Sequence, residues 1–387
     1  MATTQVEFER LEAEWNDGGA VAAVAELVNQ LRDQKKYHEL FEGLKMQARI
    51  GLGLSPMPSG SEEQLDAQQR DQLEDGLIAA CREVGLLLIE GGQLREGWMY
   101  LRPVGEKQLV KDALAKVVLD DENRDEFVEV ALHEGIDPQR GFSEVLGYYG
   151  TCNAITTFES LAPQCEPADQ QGITAQLVEH VHAELMATLK ADIEQQQGSA
   201  PTESTLGELV ADRDWLFGEH AYHIDTSHLA ATVRFARLLE KPEHLRLGED
   251  LTQYGRRLDA QFQYEGDEPF TELYPHHGLY FSALLGEDVD TALAHFEDRA
   301  RNVPVDQYGL VAIEVYVSLL SRLGRHEEAL NRALELYAEA GHTNGQTISL
   351  LELSDKSGDF QPLIDHYRQH HDLLGFTVSL ISTGSDA

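Results

Sequence analysis

Apolar residues recur every three or four positions along most of this chain, and this period predicts helices. In residues 20–50, Val24 and Val28 share one helical face and Leu40 and Leu44 share another after a short break, which predicts an antiparallel helix pair. The same pattern predicts helices over 70–90, 107–119, 124–134, 140–161, 170–195, 226–240, 243–264, 275–285, 288–302, 306–323, 325–340, 346–357 and 359–374. No segment shows the alternating β-branched runs bounded by Asn-Gly or Asp-Gly turns that are typical of strands. We therefore predict an all-α fold.

Two segments interrupt the helical pattern. Residues 55–72 and 194–207 are rich in Pro, Gly, Ser, Glu and Gln, and they carry too little apolar surface to order themselves. The second segment lies near the middle of the chain. It predicts an N-terminal helical lobe over 1–193, a linker or mobile loop over 194–207 and a C-terminal helical lobe over 208–387, although a long loop within one continuous array would have the same composition.

A repeat is visible in the C-terminal half. Gly324 and Gly358 stand 34 positions apart, each in front of a helical pattern. Upstream, Ala292, Phe296 and Pro304 have the mutual spacing of a small, an aromatic and a closing proline position. Glycine permits the tight turn between two helices, the small residue permits close approach of the helices, and the aromatic fills the space beside the next pair.

On these residues the chain resembles the tetratricopeptide-repeat family, over 279–374 and more faintly over 20–105, where Gly92, Gly97 and Leu101 repeat the rhythm. The resemblance implies a helix-hairpin repeat array, an α-solenoid, that extends as one body or as two lobes. It also implies a concave groove that binds a protein or peptide segment, as stacked helix pairs do.

The large negative net charge of the chain bears on which classes of partner it can bind. The 387 residues include 68 Asp and Glu against 30 Lys and Arg, a formal net charge of −38, with 42% hydrophobic residues. Such a field repels phosphate backbones and anionic membrane surfaces, so we predict neither nucleic acid nor membrane as a partner. No apolar run approaches the roughly 20 residues of a membrane helix. Three scattered cysteines and an acidic N-terminus without an apolar core predict a soluble cytoplasmic protein.

The segment GEHAYHIDTSHL, residues 218–229, is rich in metal-ligand side chains. Together with YPHHG further on, it supplies the candidate ligands His220, His223, Asp225, His228, His276 and His277. Imidazole and carboxylate groups suit zinc, iron or manganese, but the spacing does not place them on one helix face. The alternative is that Asp225 or Thr226 caps a helix and that Pro275 begins another, so that the histidines cap and pack.

Two other groups are candidates for binding. The charge-poor segment 141–160 predicts a buried helix or a pocket wall from which Tyr148, Tyr149 and Asn153 reach a ligand; its Cys152 acts as a small hydrophobe unless a base lies nearby. Arginine is scarce, so Arg234 and Arg237 stand out on one helix, and a second pair follows at 256–257. Such guanidinium groups either receive a peptide carboxylate or bridge neighbouring acids.

Two functions follow from these patterns. The first is a non-catalytic helical-repeat scaffold that binds a protein or peptide partner in a groove and needs no cofactor. The alternative is a metal-dependent hydrolase that uses the histidine cluster, with Glu219 or Glu272 as a base. Phosphate-binding loops, nucleophile elbows and kinase signatures are absent from the sequence, which favours the first function.

Overall fold

The computed structural model describes residues 2–57, 65–218, 222–342 and 349–384. Within these ranges the chain is helical and contains no β-strand; one isolated bridge joins Glu265 and Glu272. The prediction of an all-α fold is therefore confirmed.

The chain divides into two compact units, Met1–Cys165 and Glu166–Ala387. The division falls earlier than the predicted boundary at 194–207, which lies inside the second unit. Helix α9 (Pro167–Gln197) runs up to that segment and packs against the helices that follow it. Asp250, from one of those helices, accepts hydrogen bonds from the backbone N–H groups of Leu206 and Gly207 at 2.7 and 2.9 Å. The polar segment is thus a surface loop between helices that pack together.

The first unit contains eight helices in its described part: α1 (Ala2–Asp33), α2 (Tyr37–Gly51), α3 (Ala67–Glu90), α4 (Leu94–Leu101), α5 (Lys107–Leu114), α6 (Arg124–Val128), α7 (Pro138–Glu144) and α8 (Thr151–Leu161). Helix α1 folds back on itself at Gly19, whose φ of 68° is in the left-handed region. Gln30 consequently donates a hydrogen bond to the carbonyl of Glu7, 23 residues earlier. No helix was predicted over residues 2–18, because the apolar side chains among residues 5–18 are sparse and largely exposed.

Close approach of α3 and α4 depends on two glycines. A Cβ at Gly97 would lie 2.6 Å from the Ile89 side chain, and one at Gly85 would lie 2.5 Å from Leu101. Gly92, in the turn between these helices, has a φ of 84°. Gly97 therefore lies where the two helices come closest, and Gly92 lies in the tight turn that joins them.

The second unit continues with eleven more helices in its described part: α10 (Leu206–Ala211), α11 (Thr226–Phe235), α12 (Pro242–Gly255), α13 (Leu273–Leu284), α14 (Val289–Asn302), α15 (Val305–Tyr308), α16 (Val311–Arg322), α17 (His326–Glu339), α18 (Leu350–Ser357), α19 (Gln361–Gln369) and α20 (Leu373–Ser382). From α13 to α20, the longer helices pack on their successors in chain order. Gly324 and Gly358 close α16 and α18 with φ values of 76° and 72°, the left-handed turn that lets the next helix pack back.

Several predicted helices are shorter than the pattern indicated: 107–119 ends at Leu114, and 306–323 is divided at Gly309. Residues 140–161 are divided at Gly150, which has a φ of 84° and a ψ of 170° that no helix accommodates. The segment 243–264 ends as a helix at Gly255, where a Cβ would collide with the Tyr274 ring at 2.3 Å. The last, 359–374, ends at Gln369 before α20 begins. Apolar periodicity continues through each break, so it does not reveal where the backbone turns.

Candidate functional site

His223 is held by protein groups on both ring nitrogens. Its Nε2 lies 3.2 Å from Asp192 Oδ2 on α9, and its Nδ1 lies 3.2 Å from the hydroxyl of Tyr254 on α12. Burial raises the pKa of Tyr254 to about 12, so the hydroxyl keeps its proton; in the tautomer whose Nε2 donates to Asp192, the hydroxyl donates a hydrogen bond to Nδ1. The Tyr254 oxygen in turn accepts the His223 backbone N–H at 3.1 Å. With Nε2 donating to the carboxylate, neither nitrogen has a lone pair for a metal.

Asp225 is the N-cap of α11, as one alternative predicted. Its carboxylate accepts from the Ser227 backbone N–H at 2.8 Å and from the Ser227 hydroxyl at 2.6 Å, and these hydrogen bonds lower the pKa of Asp225. His228 lies half-buried in the first turn of the same helix. His220 and Glu219 lie outside the described residues.

His276 and His277 belong to a cluster of packed rings. His277 is 2% exposed; its Nδ1 donates to the Leu273 carbonyl at 2.7 Å, and its ring stacks on Phe270 with 4.2 Å between centroids. Burial lowers the pKa of His277 to about 3. The ring of His276 lies 4.3 Å from that of His295, and burial also lowers the pKa of both these histidines.

The described residues contain no group of three or more His, Cys, Asp or Glu side chains that could hold a metal ion. The candidate ligands of the metal-dependent alternative are therefore not assembled into a metal site in the described part of the chain.

Tyr148, Tyr149 and Asn153 lie on an open surface of the first unit. The segment was predicted to be a buried helix or a pocket wall, but Tyr148 and the neighbouring Cys152 are exposed. The Tyr149 hydroxyl donates to Asp125, which raises the pKa of Tyr149 to about 12. Asn153 Nδ2 donates to the Tyr149 carbonyl at 2.7 Å. These polar groups thus have hydrogen-bond partners within their own unit.

Arg234 and Arg237 line a cavity of about 360 Å³ in the second unit. Arg234 lies in the last turn of α11, and Arg237 lies in the 3₁₀ turn that continues it. The cavity is walled by Phe235, Leu238, Phe270, Tyr280, Val311 and Val315, and its other polar lining is Glu314, Ser318 and Arg322. An apolar wall with a few converging polar groups, in this range of volume, is typical of ligand sites.

Arg237 is a partly desolvated charge in this cavity. Its Nε donates to the Arg234 carbonyl at 3.1 Å, and its guanidinium carbon lies 4.8 Å from the centroid of the Phe270 ring. Burial lowers the pKa of Arg237 and the nearby positive charge of Arg234 adds to that effect, while Tyr280 and Asp267 act in the opposite direction. Within the part of the chain that the structure describes, no carboxylate lies within 4.0 Å of Arg234, Arg237 or Arg322 to form an ion pair.

Arg322, which sequence analysis did not select, joins the site from the last turn of α16. Its Nη1 donates to the Arg237 carbonyl at 2.7 Å across 85 residues of sequence, and its Nη2 donates to the Leu239 carbonyl. Arg322 therefore neutralises the carbonyl end of the α11 turn and holds α16 against it. The sequence does show a single arginine at the end of a strongly apolar helix, but it does not show which groups Arg322 contacts.

The lining carries three guanidinium groups against one carboxylate, that of Glu314. Two of the three, Arg234 and Arg237, retain N–H donors beyond the backbone contacts described above. The site is thus suited to an anion attached to an apolar group: the guanidinium groups bind the anion and the aromatic and aliphatic wall covers the rest.

Comparisons with known proteins do not assign the chain to a family. No protein-family model, curated protein sequence or solved structure matches it. No helix in the described ranges is long and apolar enough to cross a membrane. The candidate function therefore rests on the geometry of the arginine-lined cavity.

Proposed function

We propose that the protein is a non-catalytic helical-repeat protein that binds a protein or peptide partner, and that the cavity around Arg234 and Arg237 receives an Asp or Glu side chain flanked by an apolar residue. One observation carries the proposal: two guanidinium groups line an apolar cavity, and among the described residues no carboxylate lies within 4.0 Å of either, although Asp267 attracts Arg237 from a longer distance. A desolvated charge without a counter-ion is costly, so its presence favours a site that a ligand completes.

The chemistry favours a short peptide segment over a polyanion. The formal net charge of −38 repels nucleic acid along its whole length, whereas one carboxylate needs only the local field inside the cavity. The helix pairs α16–α17 and α18–α19, with their turn glycines 34 residues apart, support a hairpin array that would present such a segment in a groove.

A selection experiment followed by a double-mutant cycle tests the proposal. Random linear peptides are displayed and selected on the full-length protein, and the enriched peptides are titrated by calorimetry. We expect an acidic residue beside an apolar one in the enriched peptides. Arg237→Gln should weaken binding by about tenfold, and a Glu→Gln change in the peptide should weaken binding to the wild type but not to the Arg237→Gln variant.

Arg246→Gln is the matched control, because Arg246 is an exposed arginine on α12 that does not line the cavity. It removes the same charge and should leave the affinity unchanged. Failure to enrich any peptide, or equal affinity for the wild type and the Arg237→Gln variant, would contradict the proposal.

A further inference from the structure

The turn between α12 and α13 contacts both candidate arginines of the cavity. Arg234 Nη2 donates to the Glu265 carbonyl at 3.4 Å, and the guanidinium carbon of Arg237 lies 4.8 Å from the centroid of the Phe270 ring. The backbone N–H of Phe270 donates to the Asp267 carbonyl at 2.6 Å. Asp267 therefore belongs to the same turn that supplies the Phe270 wall of the cavity.

The shape of this turn is fixed, and only one of its two central acids is used in an ion pair. A Cβ at Gly266 would collide with the backbone on the other side of the turn. The Glu268 carboxylate accepts from Arg299 Nε on α14 at 3.1 Å, so this acid is engaged with the next helix. Asp267 has no ion pair within 4.0 Å among the described residues, and its carboxylate attracts Arg237 from a longer distance.

The balance of charge suits a ligand with a single negative charge. The lining carries the guanidinium groups of Arg234, Arg237 and Arg322 and the carboxylate of Glu314. With Asp267 acting at longer range, these described groups leave one positive charge. One carboxylate neutralises that charge. A phosphate dianion would instead leave a negative charge in a partly desolvated site of a chain whose formal net charge is −38.

We propose that Asp267 is a specificity-determining residue of this cavity: its charge, together with that of Glu314, makes the site bind a carboxylate side chain in preference to a phosphorylated one. This inference rests on the proposed function and narrows the class of ligand. Asp267 acts through its electric field, and a Coulomb energy falls only as the inverse of distance. A charge beyond contact therefore still distinguishes a ligand with one negative charge from a ligand with two.

The arginines alone would not make this distinction. Guanidinium groups bind phosphate as readily as carboxylate, because their paired N–H donors match the oxygens of both. The two carboxylates come from separate elements, Glu314 from the first turn of α16 and Asp267 from the turn before α13. Preference for a carboxylate is thus attributed to these acids, and it should change when one of them is neutralised.

Calorimetric titration of two matched peptides tests the inference. One is a glutamate-containing peptide from the selection described above, and the other carries phosphoserine in place of that glutamate. We expect the wild type to bind the glutamate peptide more tightly at about pH 7, where phosphoserine carries nearly two negative charges. Asp267→Asn removes a charge and keeps the shape of the side chain, so it should shift the ratio of the two affinities by about tenfold towards the phosphoserine peptide.

Asp290→Asn is the matched control, because Asp290 is an exposed aspartate on α14 that does not line the cavity. It removes the same charge and should leave the ratio of affinities unchanged. Equal or tighter binding of the phosphoserine peptide by the wild type, or an unchanged ratio in Asp267→Asn while the glutamate peptide still binds, would overturn the inference and leave the proposed function intact. Wild-type protein that binds neither peptide would overturn the proposed function and this inference with it.

Discussion

Two groups of arginines in the second unit differ in whether a carboxylate lies within ion-pair distance of the guanidinium group. On α14 and α17, Arg301 lies 3.1 Å from Glu297 and 3.0 Å from Glu335, and Arg332 lies 2.9 Å from Glu335. These hydrogen bonds lower the pKa of Glu335. Around the cavity, Arg234 and Arg237 have no such carboxylate among the described residues, although the chain has more than twice as many acidic as basic side chains.

The difference originates in where the acidic residues are placed. Residues 226–239, which carry Arg234 and Arg237, include no Asp or Glu, and residues 310–323 of the facing helix include only Glu314. These two segments therefore contain almost no acidic residues, whereas acidic residues outnumber basic ones in the chain as a whole. A guanidinium paired on the surface contributes to solubility and little to stability, whereas one without a partner in a cavity is available to a ligand.

Arg322 also lines the cavity, but its guanidinium group donates hydrogen bonds to backbone carbonyl groups. Replacing Arg322 with Met keeps the apolar stem and removes the donors to the Arg237 and Leu239 carbonyls. We expect a loss of about 2 kcal/mol in the free energy of unfolding, because hydrogen bonds from a charged donor are lost at a helix end. A urea titration of the purified protein measures it, and Arg322→Lys should recover part of the loss. A change within experimental error would place Arg322 with the ligand-binding arginines instead.

His277 stacks on the same Phe270 ring that Arg237 contacts. Its pKa is about 3 in the folded protein, chiefly through burial, against about 6.5 in the unfolded chain. Below the unfolded pKa the unfolded chain binds a proton that the folded protein does not. Stability is therefore complete above pH 6.5 and falls with pH, by about 2 kcal/mol at pH 5 from this residue.

Urea titrations at neutral pH and at pH 5 compare the wild type with His277→Phe. The variant should lose less stability on acidification, and the remaining pH dependence includes His276 and His295, whose pKa values are also lowered. The same pH dependence in both proteins would show that His277 is accessible to protons in the folded state.

The fold was predictable where an apolar stripe and its turn glycine agree. Helices α16 and α17 follow the stripe, and Gly324 between them has the positive φ that a tight turn requires. Gly150 was read as part of a helix because the apolar residues on both sides keep the same period. The hairpin at Gly19 was missed because the residues before it bury little surface.

The candidate site was predictable only in part. Arg234 and Arg237 stand three apart, so the sequence places both on one side of a helix turn. Arg322 and Phe270 come from distant segments, and their arrival in the same cavity depends on how the helices pack. The lack of an acidic partner is likewise a property of the folded neighbourhood, since either outcome was open for arginines in so acidic a chain.

Removing one arginine from each of the two groups should change the free energy of unfolding in opposite directions. Arg237→Met removes a desolvated charge and leaves an apolar side chain beside Phe270, so it should raise the free energy of unfolding of the ligand-free protein by about 1 kcal/mol. Arg301→Met removes a guanidinium that has carboxylate partners at the surface, so it should lower that free energy by about 0.5 kcal/mol. Urea titrations of both variants and the wild type show whether each substitution raises or lowers the free energy of unfolding. If Arg237→Met destabilises the protein as Arg301→Met does, Arg237 is a structural residue and not one kept for a ligand, because a group kept for binding is expected to cost stability while its partner is absent.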